Sequence, residues 1–376
     1  MLKILELFGG IGACSKALEK LGIDFEIVDY VEIDKYAVKS FNAIHGTNFE
    51  PQDICKWDKN IDIDLIMHGS PFQDFSLSGK QLGGDEGSGT RSSLMYETIR
   101  IVRKLRPKYI IWENVKNVIS KRHKHNFDAY ITQLRLLGYQ SYYEVLNSKD
   151  YEMPQNRERV FVVSIRSDAN SYGCHVFNYR FPRKKELKLH LKDFLEYNVD
   201  EKYYLSEKMI KYISARGTSN FKNPDCKINL DIARPLTTDP NKRAGTTNYL
   251  CKELPNNYDL NKILIRNNTK TGYLVAEPYD GVYTNITTKR GTVQKGMIQT
   301  LTTFQDKGVI LEDLKIRKLT PKEYWRLMGF DDEDYEKASK VCSNTQLYKQ
   351  AGNSIVVNVL YYILENLLKG SDKEWV

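Results

Sequence analysis

Paired cysteine spacing is missing from this 376-residue chain: six cysteines stand at 14, 55, 174, 226, 251 and 342, with no C-x-x-C pair among them. That scatter argues against a zinc site and against a disulfide framework, and it suits a reducing compartment. No metal is expected. Long hydrophobic runs are missing too. The opening MLKILELFGG is apolar for too short a stretch to be the core of a signal peptide, and no run approaches the length of a membrane span. The expected location is therefore cytoplasmic, with no membrane partner. Acidic residues are in mild deficit, 48 against 56 Lys and Arg, which leaves +8. Such a surplus permits polyanion binding without demanding it, and an ordinary basic cytosolic protein would carry it equally well.

What is present is enough apolar residue, 41%, to bury one large or two ordinary cores. Apolar runs at 2–7, 26–31, 63–67, 109–112 and 160–165 read as buried strands. Between them, Ala13, Ala17, Leu18 and Leu21 are at helical spacing with Gly22 as a stop, and Leu94, Thr98, Ile101, Val102 and Leu105 mark a second helix before Pro107. Strand and helix in alternation predict an α/β, Rossmann-like domain over 1–169, with a mostly parallel sheet covered on both faces. From 170 to 315 the composition shifts to Asn, Thr, Tyr and Lys with many turn residues, and a Leu-Thr-Thr followed by a basic turn occurs twice, near 236 and 301. A smaller, irregular β-rich domain fits. From 316 to 376 helical patterning returns, with Thr320, Pro321 and Glu323 forming a capping box that starts a helix.

The chemistry-bearing residues fall at strand ends. Gly9, Gly10 and Gly12 follow the first strand, where a glycine loop lets backbone approach a ligand, although a tight turn with no ligand would read the same. Glu32 ends the second strand about 20 residues on, where an acid in a dinucleotide-type fold bonds ribose hydroxyls. A solvated strand-end carboxylate is the plain alternative for Glu32 and for Asp53. Glu113 leaves the fourth strand at its carboxyl end, where partial burial would raise its pKa towards proton-donating use. Arg157 and Arg159 share a face of the run entering the fifth strand, suited to phosphate or carboxylate recognition.

Taken in order, FGGIG, Glu32, Asp53, Ser70-Pro71-Phe72-Gln73, Glu113-Asn114-Val115, Gln155-Asn156-Arg157-x-Arg159, LTPKEYWRLMGF and QAGNSIVVNVL resemble the bacterial cytosine-C5 DNA methyltransferases over nearly the whole chain except 170–315. That stretch is the variable target recognition domain of the family. The resemblance implies S-adenosylmethionine over the glycine loop, with Phe8 against its adenine ring and Ile33, Ile54 and Ser354 among the residues that bind it. Glu32 would hold the ribose, Asp53 the adenine amine, and Asn353 would lie near the methionine end. It implies double-stranded DNA as partner, with the target base flipped out and held by Glu113 beside Arg157 and Arg159. The Gly- and Ser-rich stretch 77–93 would close over the flipped-out DNA, Ser76, Ser78, Lys80 and Gln81 would bind the DNA, and basic turns with Arg234, Lys242, Arg243, Lys289 and Arg290 would contact the duplex. A monomer would suffice, with a cognate restriction endonuclease as a further candidate partner.

One position departs from the pattern. Phe72 stands where the family has the cysteine whose thiolate adds to the cytosine ring, and without that covalent step carbon five is a poor nucleophile. Three readings follow. Methyl transfer goes to an exocyclic amine, adenine N6 or cytosine N4, with Ser70-Pro71-Phe72 approximating a polar acceptor, a proline and a stacking ring; or the protein is a non-catalytic DNA-binding homologue or partner subunit; or it is an ordinary C5 enzyme inactivated by substitution. A dinucleotide-dependent oxidoreductase would need a G-x-G-x-x-G spacing that GGIGACS lacks.

Overall fold

A computed structural model describes residues 1–71, 94–168, 179–206, 263–269, 272–285, 290–313 and 315–369. Two compact units emerge, one made of 1–196, 300–305 and 320–376, the other of 197–299 and 306–319.

In the first unit, β1 (Leu2–Leu7), β2 (Phe25–Val31), β3 (Leu65–His68), β4 (Tyr109–Val115), β5 (Tyr139–Asn147) and β6 (Glu158–Arg166) form one sheet in the order β2-β1-β3-β4-β6-β5. The first four strands are mutually parallel, while β6 runs antiparallel to both β4 and β5. β1 has β2 on one side and β3 on the other, so chain order reverses beside it, and the carboxyl ends there form a crevice suited to ligands. The central strands do not alternate between polar and apolar residues: Ile4, Leu5, Ile66, Ile110 and Ile111 are all buried, as strands covered on both faces require.

The covering helices begin and end where local chemistry dictates. α1 (Ala13–Leu21) stops at Gly22, whose left-handed φ of 65° closes the last turn. α2 (Lys35–His45) starts under an Asp34 side chain that accepts from the Tyr36 N–H. α3 (Met95–Leu105) and α4 (Lys124–Leu136) pack Ile99, Val102, Phe127 and Leu134 into the core around Trp112. The carboxyl-terminal part contributes α5 (Pro321–Leu327), α6 (Asp332–Ser339), α7 (Asn344–Asn353) and α8 (Val357–Leu368). α5 carries the reciprocal Thr320–Glu323 capping box.

The boundary expected at 170 falls at 196 instead. Segment 179–196 is tied back to the first unit: the Tyr151 hydroxyl donates to the Pro182 carbonyl, Asn366 to that of Arg180, and Arg326 to those of Phe194 and Leu195. Residues 300–305 also belong to the first unit, and its last stretch starts at 320 rather than 316.

The second unit, among its described residues, is β-rich. β7 (Ile263–Arg266) and β8 (Tyr273–Ala276) form an antiparallel hairpin. A four-stranded antiparallel sheet joins β9 (Gly281–Tyr283), β10 (Val293–Gln294), β11 (Lys307–Ile310) and β12 (Ile316–Lys318) in the order β10-β9-β11-β12. Among the described residues its core gathers Leu205, Ile265, Ala276, Val282, Val293, Ile310 and Ile316. No helix among the described residues is long and apolar enough to cross a membrane.

Candidate active site

β1 ends in Leu7, and the chain then turns through Phe8 at φ 52° and Gly10 at φ 57° before α1. A Cβ at Gly10 would meet no atom of the described residues within 4 Å, whereas a Cβ at Gly9 would sit 2.7 Å from the Tyr30 ring. Glu32 fixes this loop from the end of β2: Oε2 accepts from the Gly10 N–H at 3.2 Å and Oε1 from the Asp34 N–H at 2.9 Å. Burial pushes its carboxyl pKa up, and the two backbone donors pull against that shift. The loop, β2 and the turn after α2 surround a cleft of about 430 Å³, with Phe8, Ile33, Ile54 and Leu94 as apolar wall, Glu32, Asp34 and Asp53 as acids, and Lys349 paired with Asp34 at 2.6 Å. Ile33 is 70% exposed and offers the cleft an apolar shelf. Asn353, exposed at the end of α7, reaches the same cleft.

Beside it stands a second group of residues. The β3–β4 ladder ends with His68 opposite Trp112, so Gly69 and Glu113 emerge next to one another. Glu113 is 6% exposed, and Arg159 Nε lies 3.0 Å from its Oε1, at ion-pair distance but off hydrogen-bond alignment. Arg159 pairs with Val115 across the ladder, two residues on from Glu113, which puts both side chains on one face. Burial raises the Glu113 pKa, opposed by Arg159 and Arg157. A cavity of about 40 Å³ joins Glu113 to Phe8, Gly10, Gly69 and Asn353, so the acid and the cleft share walls.

Not every expected residue arrives there free. Ser70, expected to offer a polar acceptor, is 1% exposed; its hydroxyl accepts from Trp112 Nε1 at 2.9 Å and from Asn114 Nδ2 at 3.2 Å. It is a brace between β3 and β4, because a hydroxyl at a buried strand end must find internal partners. Arg157 is likewise diverted: its terminal nitrogens donate to the carbonyls of Leu301, Gly352 and Ser354. Pro71 lines the cleft. Phe72, Gln73, Ser76, Ser78, Lys80, Gln81, Arg234, Lys242, Arg243 and Lys289 lie outside the described residues. Arg290, in the second unit, is exposed and donates to the Asn268 carbonyl.

Sequence reasoning missed Glu6 and His68. Glu6 is 2% exposed in β1 and lines the small cavity, accepting from both the Ser15 N–H and hydroxyl; a carboxylate inside KILELF was the available signal. His68 bonds the Tyr130 hydroxyl at 2.8 Å and stacks on Trp112, and burial holds its pKa down to about 3. Cys14 also lines that cavity, yet it is fully buried and its thiol is pushed far above the usual range, so it supplies no thiolate near neutrality.

A family model described as C-5 cytosine-specific DNA methylase matches residues 2–369. The chain is similar to the orphan methyltransferase M.SPRI of Bacillus phage SPR, 32% identical with 98% of this chain and 97% of that protein aligned. It is also similar to the type II methyltransferase M2.ScrFI of Lactococcus lactis subsp. cremoris, 30% identical over 98% of this chain and 99% of the relative. Among solved structures, a DNMT2 mutant from Spodoptera frugiperda shares the fold with a TM-score of 0.60 at 21% identity, covering 98% of this chain and 99% of that one.

Proposed function

The chain belongs to the C-5 cytosine-specific DNA methylases, and from that premise we propose that it transfers a methyl group to an exocyclic amine of a base flipped out of duplex DNA. It is a DNA methyltransferase of that family's architecture, and the family uses S-adenosylmethionine. The cofactor fits the cleft: about 430 Å³ lies within the range of small-molecule sites, and the cleft pairs apolar walls with three acids, of which Asp34 is held by Lys349, and a glycine backbone. In this reading Glu32 takes the ribose hydroxyls, Phe8, Ile33 and Ile54 the adenine ring, Asp53 its amine, and Asn353 with Ser354 the methionine end. Bound there, the cofactor supplies an electrophilic methyl group on a sulfonium.

The remaining work falls to the chain's own residues. Glu113, held by Arg159, accepts an N–H of the exocyclic amine and takes the proton that the nitrogen sheds, and its raised pKa suits that task. Phe72 stacks on the base, a contact of about 1 to 3 kcal/mol. Gln73 and the stretch with Ser76, Ser78, Lys80 and Gln81 close over the DNA. Residues 197–299 and 306–319 serve as the target recognition unit, with Arg234, Lys242, Arg243, Lys289 and Arg290 on the duplex. The working form is a cytoplasmic monomer. A cognate endonuclease is a candidate partner because one similar protein is named a type II methyltransferase, although another is named an orphan.

The single observation behind the amine target is the pairing of a buried, arginine-held Glu113 with a phenylalanine at position 72. Ser70 favours a second reading, a DNA binder that transfers no methyl group, because the hydroxyl the amine reading wanted is spent on Trp112 and Asn114. Mass spectrometry of nucleosides from DNA incubated with the protein and methyl-labelled S-adenosylmethionine separates them. Labelled N6-methyladenine or N4-methylcytosine is expected. Labelled 5-methylcytosine, or DNA retained with no label, overturns the amine target, and in the latter case Phe72→Cys should yield labelled 5-methylcytosine.

A further inference from the structure

Gln155 and Arg157 flank Asn156, where the Arg157 N–H donates to the Gln155 carbonyl at 3.1 Å in a tight turn, and the side chains of both reach Leu301. Both are buried, at 0% and 3% exposure, and they grip the two backbone groups of one residue. Gln155 Oε1 accepts from the Leu301 N–H at 3.1 Å, and Arg157 Nη1 donates to the Leu301 carbonyl at 3.2 Å. Their other arms reach helix ends. Gln155 Nε2 donates to the Leu327 carbonyl at 2.9 Å, and Arg157 Nη2 to those of Gly352 at 3.2 Å and Ser354 at 2.8 Å.

Those last two carbonyls flank Asn353, at the negative end of α7, where a cation is welcome. Three carbonyls in different directions need the planar fork of a guanidinium, which a lysine cannot reproduce. Segment 300–305 is also pressed directly onto this helix end: a Cβ on Gly352 would lie 2.4 Å from the backbone carbon and oxygen of Thr302. By sequence, the same short segment links the two stretches of the second unit, 197–299 and 306–319.

We propose that Gln155 and Arg157 are positioning residues, a clasp that couples ligand binding at the Asn353 turn to the 300–305 segment. The coupling rests on the reading of Asn353 as a cofactor residue. A ligand that orders the turn 352–354 fixes the carbonyls on which Arg157 hangs, and Arg157 passes that order to Leu301 through a second hydrogen bond of the same guanidinium. Arg157 thus acts on the cofactor side, through backbone, and not on the target base.

The test is amide hydrogen exchange of the intact protein with and without S-adenosylhomocysteine, with calorimetry to follow binding. In the parent protein the ligand should slow exchange at 350–355 and also, about fivefold or more, at 300–305. Arg157→Lys should abolish the slowing at 300–305 and weaken S-adenosylhomocysteine about tenfold, whereas Gln155→Met should abolish the slowing with a smaller loss of affinity. Binding heat with protection at 350–355 but none at 300–305 in the parent overturns the clasp, and that result needs no variant to fold. Full transmission in both variants overturns it as well. Binding heat without protection at 350–355 sinks the assignment of Asn353, and with it the coupling.

Discussion

The cleft proposed for the cofactor and the Glu113 corner share Phe8, Gly10, Gly69 and Asn353 as walls, yet they are built by different means. The cleft is shaped around a glycine loop: a Gly10 whose Cβ would meet no atom of the described residues within 4 Å, an apolar shelf at Ile33, and a Glu32 whose oxygens hold two N–H groups in place. The corner is closed and made of side chains. Glu113 and Arg157 are buried charges and Arg159 is nearly so, and around them Ser70, Trp112, Asn114, His68 and Tyr130 consume one another's hydrogen bonds. Burying charge is costly unless it is paired, so the corner tolerates little change, while the cleft can lose a contact and keep its shape.

The largest effect that would break this contrast is at Glu113. Glu113→Gln leaves the volume unchanged but removes both the Arg159 ion pair and the proton acceptor. Methyl transfer should fall by about 10² to 10⁴, while S-adenosylhomocysteine affinity measured by calorimetry stays within about twofold of the parent. Equal rates in parent and variant would remove Glu113 from the chemistry, and a parallel loss of cofactor affinity would show that the two regions do not separate.

Second in size is a difference in pH response. Burial pushes the Glu6 carboxyl from 4.5 up to about 7 against the pull of the Ser15 hydrogen bonds. A raised acid binds its proton more tightly folded than unfolded, so its favourable share of stability is complete below pH 4.5 and is lost as pH rises through 7. Over that window the loss is about 3 kcal/mol. Urea unfolding at pH 5 and pH 8 should therefore show a steeper decline for the parent than for Glu6→Gln, which still accepts from Ser15. Parallel curves would mean that Glu6 does not titrate there.

How much of this was legible beforehand differs between the regions in the same way. The cleft could be read because its features are local: glycines after a strand, an acid at the next strand end, and a run of apolar residues between. Strand limits at 2–7 and helix ends at Gly22 and before Pro107 came from short-range patterning and agree with the fold. β5 was not anticipated, since Tyr139–Asn147 is an edge strand with mixed polarity and no alternation to announce it. The corner could be read only as a set of residue types. Whether Ser70 or Arg157 faces a ligand or a neighbouring strand is decided by partners 42 to 197 positions away, and no spacing rule reports those.

Within the cleft, Glu32→Ala should weaken S-adenosylhomocysteine by about 1.5 to 3 kcal/mol, the range for hydrogen bonds to a charged acceptor. Part of that loss comes through Gly10, whose N–H then lacks its carboxylate. Glu32→Gln, which keeps an acceptor oxygen for one of the two N–H groups, should recover a share of the affinity. If both variants bind as the parent does, Glu32 only shapes the loop.

The smallest expected effect tests whether the frame around both regions is ordinary helix chemistry. Thr320 accepts from the Glu323 N–H at 3.2 Å, Glu323 returns the bond to the Thr320 N–H at 2.8 Å, and the other Glu323 oxygen accepts from the Glu196 N–H at 2.8 Å. Thr320→Ala removes one member of that box and should cost about 1 kcal/mol, or roughly 2 to 4 °C in melting temperature for a domain of this size. Thr320→Ser should restore most of it, because the hydroxyl and not the methyl group caps α5. Methyl transfer and cofactor affinity should not move in either variant, since the cap holds the start of α5 and neither the cleft nor Glu113 draws a side chain from that helix. A change in cofactor affinity with the cap alone removed would show instead that α5 transmits strain to the Asn353 turn, through the Leu327 carbonyl that Gln155 holds.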